Sequence, residues 1–137
     1  MAIEIKEISG RKEIKKFVCF PFPLYKGNPF WVPPLIFDEV NALDPRKNPS
    51  FEFCEAKLWM AYKDGRAVGR IAGIINHRAN QIWNERNARF GWLDFIDDFE
   101  VSSALFAQVE NWAKSMGMKA VQGPLGFSDM DKEGMLI

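Results

Sequence analysis

Three carboxylates, Asp97, Asp98 and Glu100, stand where an apolar run turns into a helical pattern. Residues 90–96 read as a buried strand. Val101, Leu105, Val109, Trp112 and Met116 then form a helical stripe that stops at Gly117. A strand feeding a helix N-terminus is a common phosphate site, because the first turn offers unpaired N–H groups and partial positive charge. Here that turn carries carboxylates and no glycine. Asp97 and Glu100 have the D-x-x-E spacing of a capping box, which makes Asp97 the expected cap. A capping carboxylate takes amides that a phosphate would need, and its charge repels the phosphate. The other reading of these carboxylates is chemical: they orient an amine substrate or take its proton.

Further reactive side chains are scattered. His77 follows an apolar run and has the side-chain chemistry of a general base, although a lone histidine in a loop is more often a surface residue. Arg70, Arg78, Arg86 and Arg89 have the charge to collect around an anion, while Arg70 and Arg89 fall on expected strands and have carboxylates to pair with. Asp129, Asp131, Glu133 and Gly134 resemble the first half of a calcium loop. The chain ends before the bidentate glutamate of such a loop, so no metal is expected. Trp31, next to Val32-Pro-Pro34, makes a rigid aromatic wall suited to a pocket or a partner.

The whole chain narrows these choices. With 137 residues it is a single domain, and 47% apolar residues suffice for a packed core. Eighteen basic residues balance eighteen acidic ones, so no nucleic-acid footprint is expected. One histidine and two cysteines, without a CxxC pair, do not make a zinc site. Two cysteines and no apolar leader point to a cytoplasmic setting. No apolar run approaches the length of a membrane span, so no membrane is expected.

The elements that must position these residues follow from periodicity. Ile3, Ile5 and Ile8 mark a first strand, and Ser9 is the expected cap of a helix from Arg11 to about Phe20. Pro21 and Pro23 end it. Residues 21–53 hold seven of the eight prolines and many aromatics, which predicts a long, packed loop with a short helix between Pro34 and Leu43. Two apolar runs, 57–62 and 67–75, flank Asp64-Gly65, the strongest short hairpin signal. Residues 77–87 read as loop or brief helix. Residues 119–121 form a last short strand.

Strand, helix, loop, hairpin, strand, helix, strand is the order of the front of the GCN5-related N-acetyltransferase (GNAT) fold. The local text also resembles a group of bacterial acyl-CoA N-acyltransferase-like proteins of that superfamily. The likeness lies in Leu24-Tyr-Lys-Gly-Asn-Pro-Phe-Trp-Val-Pro-Pro34, Val68-Gly-Arg-Ile-Ala72, Asn76-His-Arg78, Arg89-Phe-Gly-Trp92, Asp97-Asp98 and Gly123-Pro-Leu-Gly126. The resemblance implies an α/β (α+β) domain over residues 1–137, with a mostly antiparallel sheet flanked by helices. It also implies that the C-terminal part of the fold is missing, the chain being truncated or the N-terminal part of a longer protein. It implies transfer of an acetyl group from acetyl-CoA to an amine, with the donor beside Phe95, Ile96, Val101, Ser102 and Ser103 by position in the fold. The superfamily opens this helix with spaced glycines. Here it reads Ile96-Asp-Asp-Phe-Glu-Val-Ser102, so acetyl-CoA affinity is expected to be weak. The alternative is a non-catalytic domain that pairs with a second domain or subunit. An uncovered C-terminal sheet edge would invite a homodimer or a following domain.

Overall fold

Lys63-Asp-Gly-Arg66 turns as its sequence requires. Asp64 and Gly65 have φ of 54° and 75°, the two left-handed positions of a tight hairpin. The turn joins strand β2 (Cys54–Lys63) to β3 (Arg66–Asn76). In this computed structural model, which describes residues 2–127, they are the middle of a five-stranded sheet. The expectations for Asp129, Asp131, Glu133 and Gly134 lie outside the described residues.

Strand β1 (Glu4–Ile8) leads to helices α1 (Arg11–Cys19), α2 (Pro21–Leu24) and α3 (Ile36–Leu43), then to a 3-10 turn at Pro49–Glu52. After the hairpin come α4 (His77–Trp83), β4 (Asn87–Phe95), α5 (Phe99–Ser115) and β5 (Ala120–Gln122). The sheet order is β1-β2-β3-β4-β5, antiparallel except for the parallel pair β4–β5, which α5 connects. The α+β class and the mostly antiparallel sheet are as the resemblance implies.

Side-chain alternation along β3 builds two cores. Ala72 and Ile74 face Ile14, Phe17, Val18, Val40 and Leu43, so α1 and α3 cover one face. Ile71 and Ile75 face Val101, Leu105, Val109 and Trp112, so α5 covers the other. Helix α5 lies close because Gly69 and Gly73 share that face. A Cβ at Gly69 would be 2.8 Å from the Leu105 side chain, and one at Gly73 would be 3.0 Å from Trp112. Residues 21–53 are packed in part, as their aromatics predict: Trp31 stacks edge-on to Phe22, and Phe51 and Phe53 lie against the first core, whereas Phe30 and Phe37 stay exposed.

One expected cap is wrong. Ser9 does not cap α1; Gly10 does, with φ 81° and no side-chain bond. The chain must leave β1 through a left-handed residue there, which glycine tolerates. Ser9 instead donates its N–H to Glu13 Oε1 at 3.2 Å.

The C-terminal edge is partly covered. Beyond Gln122 the chain turns back over β4, where Leu125 N–H donates to the Phe90 carbonyl at 2.8 Å. Phe127 is 1% exposed and packs on Phe51 and Trp92. The approach is so close that Gly91 touches the Leu125 carbonyl and Gly123 the Phe90 carbonyl; a Cβ at either site would collide with backbone. Gly91→Ala should therefore push residues 123–127 outward, lowering stability by about 1–3 kcal/mol. Urea unfolding checks this, and an unchanged midpoint would show that the strap yields freely.

Candidate functional site

The parallel strands β4 and β5 stay together for three residue pairs only, from Asn87↔Ala120 to Arg89↔Gln122. Beyond Phe90 the β4 edge has no strand partner among the described residues. The gap opens at the carboxyl end of β4, where α5 begins. In open sheets a crevice of this kind is where ligands bind.

Of the residues placed here by fold position, Phe95 and Ile96 are half-buried against the α5 core, and Ile96 N–H donates to the Val68 carbonyl at 2.9 Å. Val101 is fully buried. Ser102 spends its hydroxyl on the Phe99 carbonyl at 3.0 Å, and Ser103 is exposed. The five residues lie together where β4 runs into α5.

Asp97 is not the cap. Asp98 is: its backbone is extended (φ −148°), and its carboxylate accepts from Glu100 N–H at 2.9 Å. The D-x-x-E spacing misled by one residue because α5 begins at Phe99. Ser102 N–H and Val101 N–H both reach the Asp98 carbonyl, so this one residue occupies most of the first turn's donors. Lys63, at the end of β2, donates to Asp98 Oδ2 at 2.8 Å. Sequence reasoning missed Lys63. The ammonium bonded to it holds the Asp98 carboxyl below the usual carboxylate range, and Asp98 in turn raises Lys63. One of the three carboxylates is thus neutralised in place.

A second polar group lies on the α1–α3 face of β4. The β3–β4 register slips between Arg70↔Asp94 and Ala72↔Gly91, leaving a bulge at Trp92 and Leu93. Trp92 has φ 47°, rare for a bulky residue. The bulge turns its indole onto Phe127, where Nε1–H donates to Glu39 Oε2 of α3 at 3.0 Å. Bulges and strained bulky residues concentrate at functional sites.

Asp94 and Arg70 are each 8% exposed and form a buried pair. Arg70 Nη2 and Nε donate to Asp94 Oδ2 at 2.7 and 3.0 Å, and Nη1 donates to the Phe17 carbonyl at 3.0 Å. Tyr25 O–H donates to Asp94 Oδ1 at 2.5 Å. Burial pushes the Tyr25 phenol upward, and its bond to the Asp94 carboxylate adds to this. Burial also lowers Arg70, opposed by Asp94. The sequence held a sign of this pair: Arg70 and Asp94 are lone charges within expected buried strands. Glu39 and Tyr25 carried no such sign.

The remaining candidates are dispersed. His77 Nε2 and Glu55 Oε2 are 2.7 Å apart on the surface, both about half exposed. Arg89 donates to the Gly126 and Phe127 carbonyls, and Arg78 stacks over Phe53. Arg70, Arg78 and Arg89 thus each have a different partner within the chain. Trp31 lies against Tyr25 and lines the same aromatic region as the Tyr25–Asp94 bond.

No protein-family profile matches the chain. Among curated proteins it is similar to Protein YghO of Escherichia coli (strain K12), with 35% identity over 97% of this chain and 34% of that protein. It is also similar to a bacterial ceramide synthase of Caulobacter vibrioides, with 33% identity over 91% of this chain and 33% of that protein. The chain thus spans about a third of the length of both relatives. Among solved structures it superposes on a tandem GNAT protein from the clavulanic acid biosynthesis pathway, with a TM-score of 0.63, 18% identity, 84% of this chain and 34% of that one. A predicted acetyltransferase from Clostridium acetobutylicum, solved with acetyl-CoA, gives a TM-score of 0.63 at 10% identity over 99% of this chain and 96% of that one.

Two outcomes follow from this geometry. Asp98→Ala should lower the thermal midpoint, whereas Asp97→Ala should leave it nearly unchanged; the reverse order would move the cap back to Asp97. Asp94→Ala should cost about 3–5 kcal/mol in denaturant unfolding, because it strands a buried guanidinium. The double variant Arg70→Met/Asp94→Leu should recover most of that loss, and a double variant as weak as the single one would contradict the charge argument.

Proposed function

We propose that this chain, which has the fold of the GNAT acetyltransferases, is the acyl-transfer unit of an N-acyltransferase whose acceptor is the amine of a long-chain amino alcohol. The observation that carries the reading is the similarity to a ceramide synthase along nine-tenths of the chain, on a fold shared with acetyltransferases. Ceramide formation is acylation of such an amine. An acyl-CoA thioester is the donor, and a cytoplasmic setting, expected from the cysteine usage, suits it.

In this reading the thioester lies in the gap beside β4, at the start of α5. Past the strap at residues 123–127, the β4 edge, which has no strand partner among the described residues, offers backbone N–H groups to the carbonyl oxygen, which gains negative charge as the amine attacks. Glu39, held by the Trp92 indole beside the bulge, takes the proton that the amine nitrogen loses. The C–N bond forms, the C–S bond breaks, and the CoA thiolate leaves with the electron pair and is protonated by solvent. The Tyr25–Asp94–Arg70 group does no proton transfer in this scheme; it fixes the bulge that aims Trp92. Asp98 and Lys63 keep the first turn of α5 occupied, which favours weak donor binding.

Glu39→Gln preserves the shape and the hydrogen bond from Trp92 while removing the base. With an acyl-CoA and a long-chain amino alcohol as substrates, it should lower kcat by about 10²- to 10⁴-fold with KM little changed. Equal turnover by wild type and variant would remove Glu39 from the mechanism. No acylated product from the wild-type chain at any donor concentration would instead favour a non-catalytic domain.

A further inference from the structure

The loop before α3 has its apolar residues on the wrong side for a surface in contact with water. Phe30, Val32, Leu35 and Phe37 are 82%, 77%, 73% and 69% exposed. Their neighbours turn the other way. Trp31 packs on Phe22 and Tyr25, and Ile36 joins the α1–α3 core. The alternation is therefore fixed by the inward residues, and the outward positions, where polar side chains would be expected, are large and apolar. Four large apolar side chains exposed within eight residues of sequence are the composition of a binding surface, and Phe37 places it beside helix α1.

Helix α1 supplies the other half of the surface. Arg11, Lys12 and Lys15 line one groove of ≈520 Å³ with Ile36, Phe37 and Val40. The Arg11 guanidinium lies over the Phe37 ring, 5.8 Å from its centre. Arg11 is paired with Asp44 at 2.9 Å, which leaves Lys12, Lys15, Lys16 and Lys26 as the other cations between residues 10 and 40, against the carboxylates Glu13, Asp38 and Glu39. Lys12, Lys15 and Lys16 are exposed and take part in none of the ion pairs found among the described residues. Among the described residues no helix is long and apolar enough to cross a membrane. Aromatic and aliphatic side chains bordered by lysines are the chemistry of a surface that lies on a bilayer: the rings enter the headgroup boundary and the ammonium groups meet anionic lipid.

We propose that this face, formed by Phe30, Val32, Leu35 and Phe37 with Lys12 and Lys15, docks the chain onto an anionic lipid surface. The absence of a membrane expected from the lack of a spanning run concerns insertion, not this peripheral contact. Vesicle binding would hold whether or not the chain transfers an acyl group, since it needs neither donor nor amine. If transfer also occurs, the surface is where an insoluble long-chain acceptor would be met.

Co-sedimentation with phosphatidylcholine vesicles, with and without phosphatidylglycerol, tests the proposal on the intact chain. Binding to the anionic vesicles should exceed binding to the neutral ones by at least about ten-fold, and added salt should weaken it. Lys12→Glu/Lys15→Glu should remove the preference for anionic vesicles. Phe30→Ser/Phe37→Ser, at positions already exposed, should lower partitioning at least about ten-fold while leaving the circular dichroism spectrum unchanged. Equal binding to both vesicle types, no binding, or wild-type binding by either double variant would overturn the proposal. So would light scattering that shows a wild-type dimer and a monomeric Phe30→Ser/Phe37→Ser variant, because a second copy would then be the occupant.

Discussion

The charge on Arg70 is held out of water, and three segments are arranged around it. Asp94 on β4 takes two of its donors and the Phe17 carbonyl takes a third. Phe17 lies in the last turn of α1, where its carbonyl has only a long 3.4 Å bond from Phe20 N–H and a cation is favoured. Its ring also faces the guanidinium, 5.1 Å from centre to Cζ. Tyr25 closes the group from the loop. A buried ion of this kind must be fully satisfied or it destabilises the fold strongly. That requirement fixes where α1 ends, how the loop enters, and which β4 residue faces β3. The bulge follows directly: with Asp94 opposite Arg70 and Gly91 opposite Ala72, two residues must fit where one would pair.

What was legible in the sequence was local. The Asp64-Gly65 turn announces itself because both residues must be left-handed, and glycine and aspartate are the types that comply. Helix α5 was legible because Val101, Leu105, Val109 and Trp112 repeat on one stripe, all now buried. The cap of that helix was displaced by one residue because Asp97 and Asp98 are chemically alike, and only backbone geometry decides which of them accepts from the first turn. The Arg70–Asp94 pair was half legible, as two charges in runs that had to be buried. The polar group as a whole was not. Tyr25 reaches Asp94, and Glu39 of α3 reaches Trp92, through contacts 69 and 53 residues apart in the chain, and a left-handed tryptophan has no sequence signature.

The residues that make the fold are not the residues that would bind a donor. Gly69, Ile71, Gly73 and Ile75 form one row on β3, and their size lets α5 settle against the sheet. That row would accept the helix equally well whether its first turn offered free amides or an aspartate cap. Fold likeness at 10–18% identity therefore reports on the row and not on the turn. Asp98 occupies that turn, and Lys63 reaches across from the hairpin to hold Asp98 there. A phosphate arriving at this helix would meet a turn already filled by the chain's own ion pair, so in the proposed reaction the donor's affinity would have to come from outside this turn.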